Sequence, residues 1–204
     1  MEVILQVMDW VKSQSLLEAF GVLTGLLCVI LAAANHRLNW PIAAMSVIAY
    51  MVIFYQAKLY ADMGLQVYFL VTIGYGWYFW GKKPSGQPVI INKLSQKEAL
   101  FSLLAIALFT GIIGFLLIKN TDASFPFIDS FCTACSIVAQ LFLARRVLEN
   151  WLIWIFVDII YVGIYISKGL HLTAGMYALY IVIAAAGYLE WRKQSKLQNQ
   201  SAHE

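Results

Sequence analysis

The sequence predicts an all-α membrane protein with seven transmembrane helices, and three observations lead to this prediction. The chain of 204 residues is 61% hydrophobic and only 12% charged, whereas a soluble domain is about 45–50% apolar and about 25% charged. Its apolar residues fall into seven runs of about 20 residues, the length that crosses a bilayer. The sequence also matches itself at a fixed offset of 111 residues.

The seven predicted spans are joined by short connections that carry most of the charges. The stretch 81–97 is the one long polar loop, and its proline and glycine residues break helices. The whole chain, 1–204, is therefore predicted to be a single transmembrane domain. We place the spans at residues 15–35, 38–57, 61–80, 98–118, 127–145, 149–167 and 170–190.

Lysine and arginine residues are unevenly distributed between the two sides of this predicted bundle. The N-terminus and the loops on its side contain 4 of them, and the C-terminus and the remaining loops contain 10. Basic residues are retained on the cytoplasmic side of a membrane. We therefore expect a multi-pass protein with its N-terminus outside and its C-terminus in the cytoplasm.

The internal match indicates two copies of a three-helix repeat. Residues 36–83 share 12 identities with residues 147–194 over 48 aligned positions, where composition alone gives about 4. The offset covers four spans, so both copies have the same orientation. The prediction is a parallel 3+1+3 arrangement, with repeats at 15–80 and 127–191 and a linker helix at 98–118. In small transporters of this kind the substrate site lies between the repeats, near the middle of the membrane.

The sixth span carries an aromatic stripe that includes one acid. Trp151, Trp154, Asp158, Tyr161 and Tyr165 are spaced 3, 4, 3 and 4 residues apart, which places them on one helix face. Polar residues inside a membrane are costly and are therefore functional candidates. Aromatic rings with a carboxylate attract flat cationic molecules by stacking and cation–π attraction. Alternatively, the stripe packs between helices and Asp158 bonds to a neighbour.

The third and seventh spans carry a second pair of aromatic stripes, which the repeat relates to each other. Both could face a central cavity. The repeat partners of Trp154 and Asp158 are Ala43 and Val47, so the two copies differ at these polar points, as an asymmetric ligand requires. The third-span stripe is Gln66, Phe69, Ile73 and Trp77, and its partners are Tyr177, Tyr180, Ala184 and Tyr188.

Other polar residues in the spans are open to more than one interpretation. The Gln140 amide, one turn after Ser136, suits either a ligand or a neighbouring helix. Asp62 suits a helix N-terminal cap. Cys132 and Cys135 lie in an apolar run without other metal-binding residues, so we interpret them as packing and expect no metal. No cofactor motif and no catalytic motif is present, and no basic run indicates a nucleic-acid partner.

Two segments resemble signatures of the PnuC family of bacterial vitamin transporters. The motifs are LYADMGLQ and YGWYxW within residues 54–80, and ENWLxW within residues 144–191. The resemblance implies a fold similar to that of SWEET sugar transporters, an inner-membrane location and a homotrimer. It also implies facilitated diffusion of nicotinamide riboside, which a cytoplasmic kinase then traps by phosphorylation.

The same resemblance assigns site residues. The family pattern W-x-x-W-x-x-x-N/D falls on Trp151, Trp154 and Asp158, and its third-span glutamine falls on Gln66. Some nicotinamide riboside carriers have asparagine where this chain has Asp158. Other branches carry thiamine, riboflavin or deoxynucleosides. Both nicotinamide riboside and thiamine contain a cationic aromatic ring, so an acid at position 158 suits either.

The sequence thus favours a carrier for nicotinamide riboside, with thiamine as the alternative substrate. Two other interpretations remain open: a proton-coupled symporter with Asp158 as the proton site, and a seven-helix receptor or membrane enzyme. The receptor or enzyme has little support, since no lysine lies within a span to hold a chromophore and no catalytic cluster is visible.

Overall fold

The computed structural model describes residues 16–56, 60–81, 90–120, 125–167 and 171–201. Within these ranges it contains seven helices and no strand, which confirms the predicted fold class. The chain divides into two compact units, Met1–Ser85 and Gly86–Glu204. The helices are α1 (Leu16–Ala33), α2 (Asn39–Gln56), α3 (Tyr60–Gly81), α4 (Gln96–Asn120), α5 (Pro126–Ala144), α6 (Asn150–Ser167) and α7 (His171–Ser201).

The first six helices agree with the predicted spans to within two residues, but α7 does not. It was predicted to end at residue 190, and it continues to Ser201. Hydropathy detects only the part of a helix that lies in lipid, whereas the arginine, lysine and glutamine residues that follow Trp191 are good helix formers in water. The predicted end of the span is therefore the end of its apolar part, and the polar tail is helical as well.

In the described part of the chain, three helical segments are long and apolar enough to cross a membrane: Gln96–Asn120, Pro126–Ala144 and Ala174–Gln198. Three more described helices, Ala19–Ala33, Asn39–Ile53 and Asn150–Ile164, are apolar over a shorter length. This pattern is what a chain that crosses the bilayer several times requires.

In the first unit, α1 packs on α2 and α2 packs on α3. The Ser46 hydroxyl donates a hydrogen bond to the Gly21 carbonyl over 2.8 Å and so links α2 to α1. At the other end of the unit, the Trp40 ring lies edge-to-face on Trp80, with centroids 5.2 Å apart. Gly76 provides the space for Trp40, because a side chain there would overlap the indole ring.

In the second unit, α4 packs on α5, α5 on α6 and α6 on α7. The one buried residue of α4 is Gly114, which lies against the Phe127 ring of α5. A helix that is apolar on nearly every side suits contact with lipid. Between α6 and α7, Trp151 lies edge-to-face on Trp191 with centroids 5.4 Å apart, in the space left by Gly187.

The turn between α1 and α2 recurs, 111 residues later, between α5 and α6. Asn35 and Arg146 each have φ 54, a left-handed conformation that is unusual for residues other than glycine. Asn39 and Asn150 each donate a side-chain hydrogen bond to the carbonyl three residues earlier, over 2.9 and 2.7 Å. Burial lowers the pKa of the Arg146 guanidinium to about 10, so it stays protonated at neutral pH. The matched turns support the predicted repeat.

A short extended segment before α4, residues 90–95, is fastened across the turn between α5 and α6; we call this segment the strap. The Asn92 N–H donates to the Arg146 carbonyl over 2.8 Å, and the Asn92 carbonyl accepts from the Leu148 N–H over 2.9 Å. The Asn92 side chain also donates to the Arg145 carbonyl over 2.7 Å. One residue thus joins the strap to the turn by three hydrogen bonds.

Two side chains from other elements complete the attachment of the strap. Glu149 accepts the Leu94 N–H over 2.9 Å, and Gln198 of the α7 tail accepts the Ile91 N–H over 3.0 Å. An ion pair of 2.7 Å between Arg145 and Glu98 links the end of α5 to the first turn of α4. The strap therefore connects α4, the α5–α6 turn and α7 within the second unit.

Candidate functional site

Three tyrosines predicted to bind substrate converge between α6 and α7. The rings of Tyr161 and Tyr177 have centroids 5.1 Å apart and planes inclined at 47°. The Tyr177 ring is also 5.9 Å from that of Tyr180, at nearly a right angle. All three are half-buried. The sequence placed them on two separate helical stripes, and the packing of α6 on α7 brings them into one cluster.

Asp158 lies on α6 one turn before Tyr161 and is only 5% exposed. The residue before it, Val157, packs with Cys132 and Cys135 of α5, and Tyr161 packs against this apolar cluster. Among the described residues we find no hydrogen-bond or ion-pair partner for its carboxylate. A buried charge without a partner is costly. The alternative in which Asp158 bonds to a neighbouring helix therefore gains no support from the contacts in the described part of the chain.

The two tryptophans of the stripe have different surroundings. Trp151 is 1% exposed and lies between Trp191 and Gly187 of α7. Its indole N–H is buried and has no partner in the described residues. Trp154, one turn further along α6, is half-buried. The packing interpretation thus describes the position of Trp151, and substrate contact by either ring stays a prediction.

Gln140 lies on α5, half-buried, one turn after Ser136. The Ser136 hydroxyl donates to the Cys132 carbonyl of its own helix over 2.8 Å. No hydrogen-bond partner of the Gln140 amide is found in the described ranges, so the amide has capacity for a ligand. The neighbouring thiols of Cys132 and Cys135 are free and buried, and the described residues contain no group of side chains that could hold a metal ion.

In the first unit, Gln66 and Phe69 are half-buried on α3, and Phe69 contacts Tyr68 at 5.8 Å between ring centroids. Trp77 lies near the end of α3 and is more exposed. The Arg37 guanidinium lies 3.9 Å from the centroid of its ring, in a cation–π contact. One face of Trp77 is therefore already covered by a cation of the protein itself.

Arg37 contacts Trp77, a predicted site residue, and no sequence pattern predicted this contact. It precedes α2, whereas Trp77 lies forty residues later at the end of α3, so no helical spacing connects them. The repeat offers no signal either, because the position that matches Arg37 is Leu148. The side chains of Asp62 and Tyr165, for which the sequence also indicated a role, lie outside the described residues.

The second unit therefore contains a buried acid, half-buried aromatic rings and an amide on adjacent membrane helices. Such a set suits a flat, polar or cationic organic molecule and includes no reactive group directed at it. Together with the several apolar helices, it is typical of a multi-pass membrane transport protein for a small organic solute.

The chain belongs to the nicotinamide mononucleotide transporter family, whose sequence profile matches residues 15–193. This confirms the resemblance that the LYADMGLQ and ENWLxW motifs indicated. Members of this family are transporters and not enzymes, and the protein is a multi-pass protein of the bacterial inner membrane.

Three similar proteins bear on its substrate. The nicotinamide riboside transporter PnuC of Escherichia coli (strain K12) is 30% identical, covering 87% of this chain and 85% of its own. The riboflavin/roseoflavin transporter RibM of Streptomyces davaonensis is 23% identical, covering 93% and 94%. The crystal structure of the vitamin B3 transporter PnuC matches with a TM-score of 0.72 and 26% identity, over 94% of this chain and 87% of that one.

Proposed function

We propose that the protein carries nicotinamide riboside across the bacterial inner membrane by facilitated diffusion. The observation that supports this substrate is the buried Asp158 carboxylate, which has no partner among the described residues and lies one turn from the tyrosine cluster. Nicotinamide riboside contains a flat pyridinium ring with a positive charge. An acid beside aromatic rings complements such a cation both electrostatically and by stacking.

The same charge distinguishes the riboside from the other substrates that the comparisons suggest. Nicotinamide mononucleotide carries a phosphate, which Asp158 would repel. Helices α5 and α6 contain no lysine or arginine, and α7 has none before Arg192, so no cation on these helices near the cluster offsets that repulsion. Riboflavin has no cationic ring and gains nothing from the acid. Thiamine is the second candidate, because its thiazolium ring is a flat cation as well.

Within this proposal the residues have distinct roles. Asp158 balances the charge of the pyridinium ring, and Trp154 with the three tyrosines stacks against it. Gln140 hydrogen-bonds the amide or the ribose. For Trp151, and for Gln66, Phe69 and Trp77 of the first unit, substrate contact stays a prediction from the sequence; Trp151 and Trp77 also have partners within their own units.

We further propose the parallel 3+1+3 arrangement, with the N-terminus outside and the C-terminus in the cytoplasm. The matched turns at Asn35 and Arg146 and the excess of basic residues on one side support these two points. Assembly as a homotrimer, and trapping of the imported riboside by a cytoplasmic kinase, follow from the family resemblance.

Calorimetric titration of the purified chain in detergent tests the substrate. We expect tight binding of nicotinamide riboside and weak or no binding of nicotinamide mononucleotide and riboflavin. Tight binding of thiamine alone would show that thiamine is the substrate and would leave the proposed site unchanged. Preferential binding of the mononucleotide would show that the proposed role of Asp158 is wrong.

Uptake into liposomes tests the mechanism. Facilitated diffusion predicts that internal and external riboside equalise without any ion gradient and without a kinase. Accumulation above the external concentration when a proton gradient is imposed would favour the symporter alternative.

A further inference from the structure

The last turns of α7 extend beyond the part of the helix that a membrane can bury. With 31 residues and a rise of about 1.5 Å per residue, α7 is about 46 Å long, while the hydrocarbon core of a bilayer is about 30 Å thick. A helix that enters lipid near His171 therefore leaves it about 20 residues later, near Glu190. The residues from Arg192 onward lie at the level of the lipid headgroups or beyond it.

One face of this tail is attached to the rest of the second unit. Trp191 and Ser195 are buried, and Gln198 accepts the Ile91 N–H of the strap. The tail is thus held in a fixed orientation within the second unit, and its opposite face is exposed.

The outward face combines positive charge with apolar side chains. Leu189 and Leu197 are 63% and 54% exposed, and the three basic residues between them are exposed as well. Glu190 lies to one side of this face, where it accepts a hydrogen bond from Gln194 over 3.0 Å. Together the face lines a shallow groove of about 450 Å³ formed by Leu189, Arg192, Lys193, Lys196, Leu197 and Gln200.

We propose that this outer face of the α7 tail binds the headgroup of an anionic phospholipid. Charge complementarity selects the occupant: three cations at headgroup level attract a phosphate, since juxtamembrane lysine and arginine residues favour anionic lipid. The exposed Leu189, at the end of the face nearest the hydrocarbon core, contacts the acyl chains. Long basic side chains reach the headgroups while their apolar stems remain against lipid.

Native mass spectrometry tests this proposal. The full chain is purified in a neutral detergent, phosphatidylglycerol or phosphatidylcholine is added, and the lipid retained by the protein is measured. The test variant is Arg192→Gln/Lys193→Gln/Lys196→Gln. The matched control, Lys93→Gln/Lys97→Gln/Lys119→Gln, removes the same charge from exposed positions elsewhere. We expect phosphatidylglycerol retention to fall about tenfold or more in the test variant, with little change in the control and no change for phosphatidylcholine.

Several results would overturn the proposal: equal losses in the two variants, no loss in either, or displacement of the lipid by millimolar inorganic phosphate, which would show that acyl contacts play no part. A change in subunit number without a change in lipid retention would make this face a contact between copies of the chain. If the triple variant does not fold, Lys196→Gln is the substitute, with Lys119→Gln as its control, and a smaller loss is expected in the same direction.

Discussion

Trp151 of α6 packs edge-to-face on Trp191 of α7, with ring centroids 5.4 Å apart and planes at 85°. The same geometry recurs in the first unit between Trp40 and Trp80, at 5.2 Å and 89°. Edge-to-face aromatic pairs contribute about 0.5–1.5 kcal/mol beyond the area that they bury. In both units the first tryptophan of the pair occupies the space beside a glycine, so the pair fixes how closely two helices approach.

Replacing that glycine should destabilise the protein. A Cβ atom at Gly187 would lie 2.8 Å from the Trp151 ring, so Gly187→Ala forces the indole to move. Overpacking of this kind costs about 1–3 kcal/mol, which a thermal unfolding curve in detergent would show as a lower midpoint. The control is Gly163→Ala in α6, where no atom lies within 4 Å of the added methyl group. Equal stability of the two variants would contradict the packing role of Gly187.

Alanine substitutions of the two tryptophans of the α6 stripe should have different effects: one should lower stability, and the other should abolish substrate binding. Trp151 is buried against α7, so Trp151→Ala creates a cavity and should lower the free energy of unfolding by about 3–5 kcal/mol. Trp154 is half-buried, so Trp154→Ala should abolish riboside binding and leave the protein folded. Calorimetry and thermal unfolding of both variants make the comparison. Unchanged affinity in a folded Trp154→Ala protein would remove Trp154 from the site.

Asp158→Asn should weaken the binding of nicotinamide riboside about tenfold to a hundredfold, since the amide has the same shape and no charge; each factor of ten is about 1.4 kcal/mol. Asp129→Asn is the control, because Asp129 is also an acid in a helix of the second unit but is exposed. The dihydro form of the riboside, whose ring is neutral, should bind both variants and the parent equally well. If Asp158→Asn weakens both forms alike, then the carboxylate acts through packing and not through its charge.

The strap should protect its own amides from hydrogen exchange. The Leu94 N–H is bound by Glu149 and the Ile91 N–H by Gln198, so Glu149→Ala and Gln198→Ala should each speed exchange at one amide. A hydrogen bond worth about 1 kcal/mol corresponds to about fivefold faster exchange. Glu190→Ala, which removes an exposed acid from the same helix as Gln198, should leave residues 90–95 unchanged. Rapid exchange of this segment in the parent protein would show that the strap is open.

The sequence was sufficient to predict the positions of the helices and the candidate site residues, because both depend on the local pattern of residues. Apolar runs of membrane length located α1 to α6, and helical spacing placed Trp151, Trp154, Asp158 and Tyr161 on one face. The same information failed at the end of α7, where the helix continues in polar sequence. It also gave no means to separate Trp151 from Trp154, which lie on the same stripe one turn apart.

Contacts between helices were decided only by the tertiary structure. Tyr161 and Tyr177 meet because of the register in which α6 packs on α7. Asn92 bonds to Arg145 because the strap lies across the α5–α6 turn. Periodicity determines which residues share a face of one helix, but it contains no information on the register between two helices. That register is set by how side chains such as Trp151 fit against the backbone at Gly187. The sequence alone therefore determined the spans, the repeat motifs and the family, while packing determined which aromatic residues hold the helices together and which form the tyrosine cluster one turn from the buried Asp158.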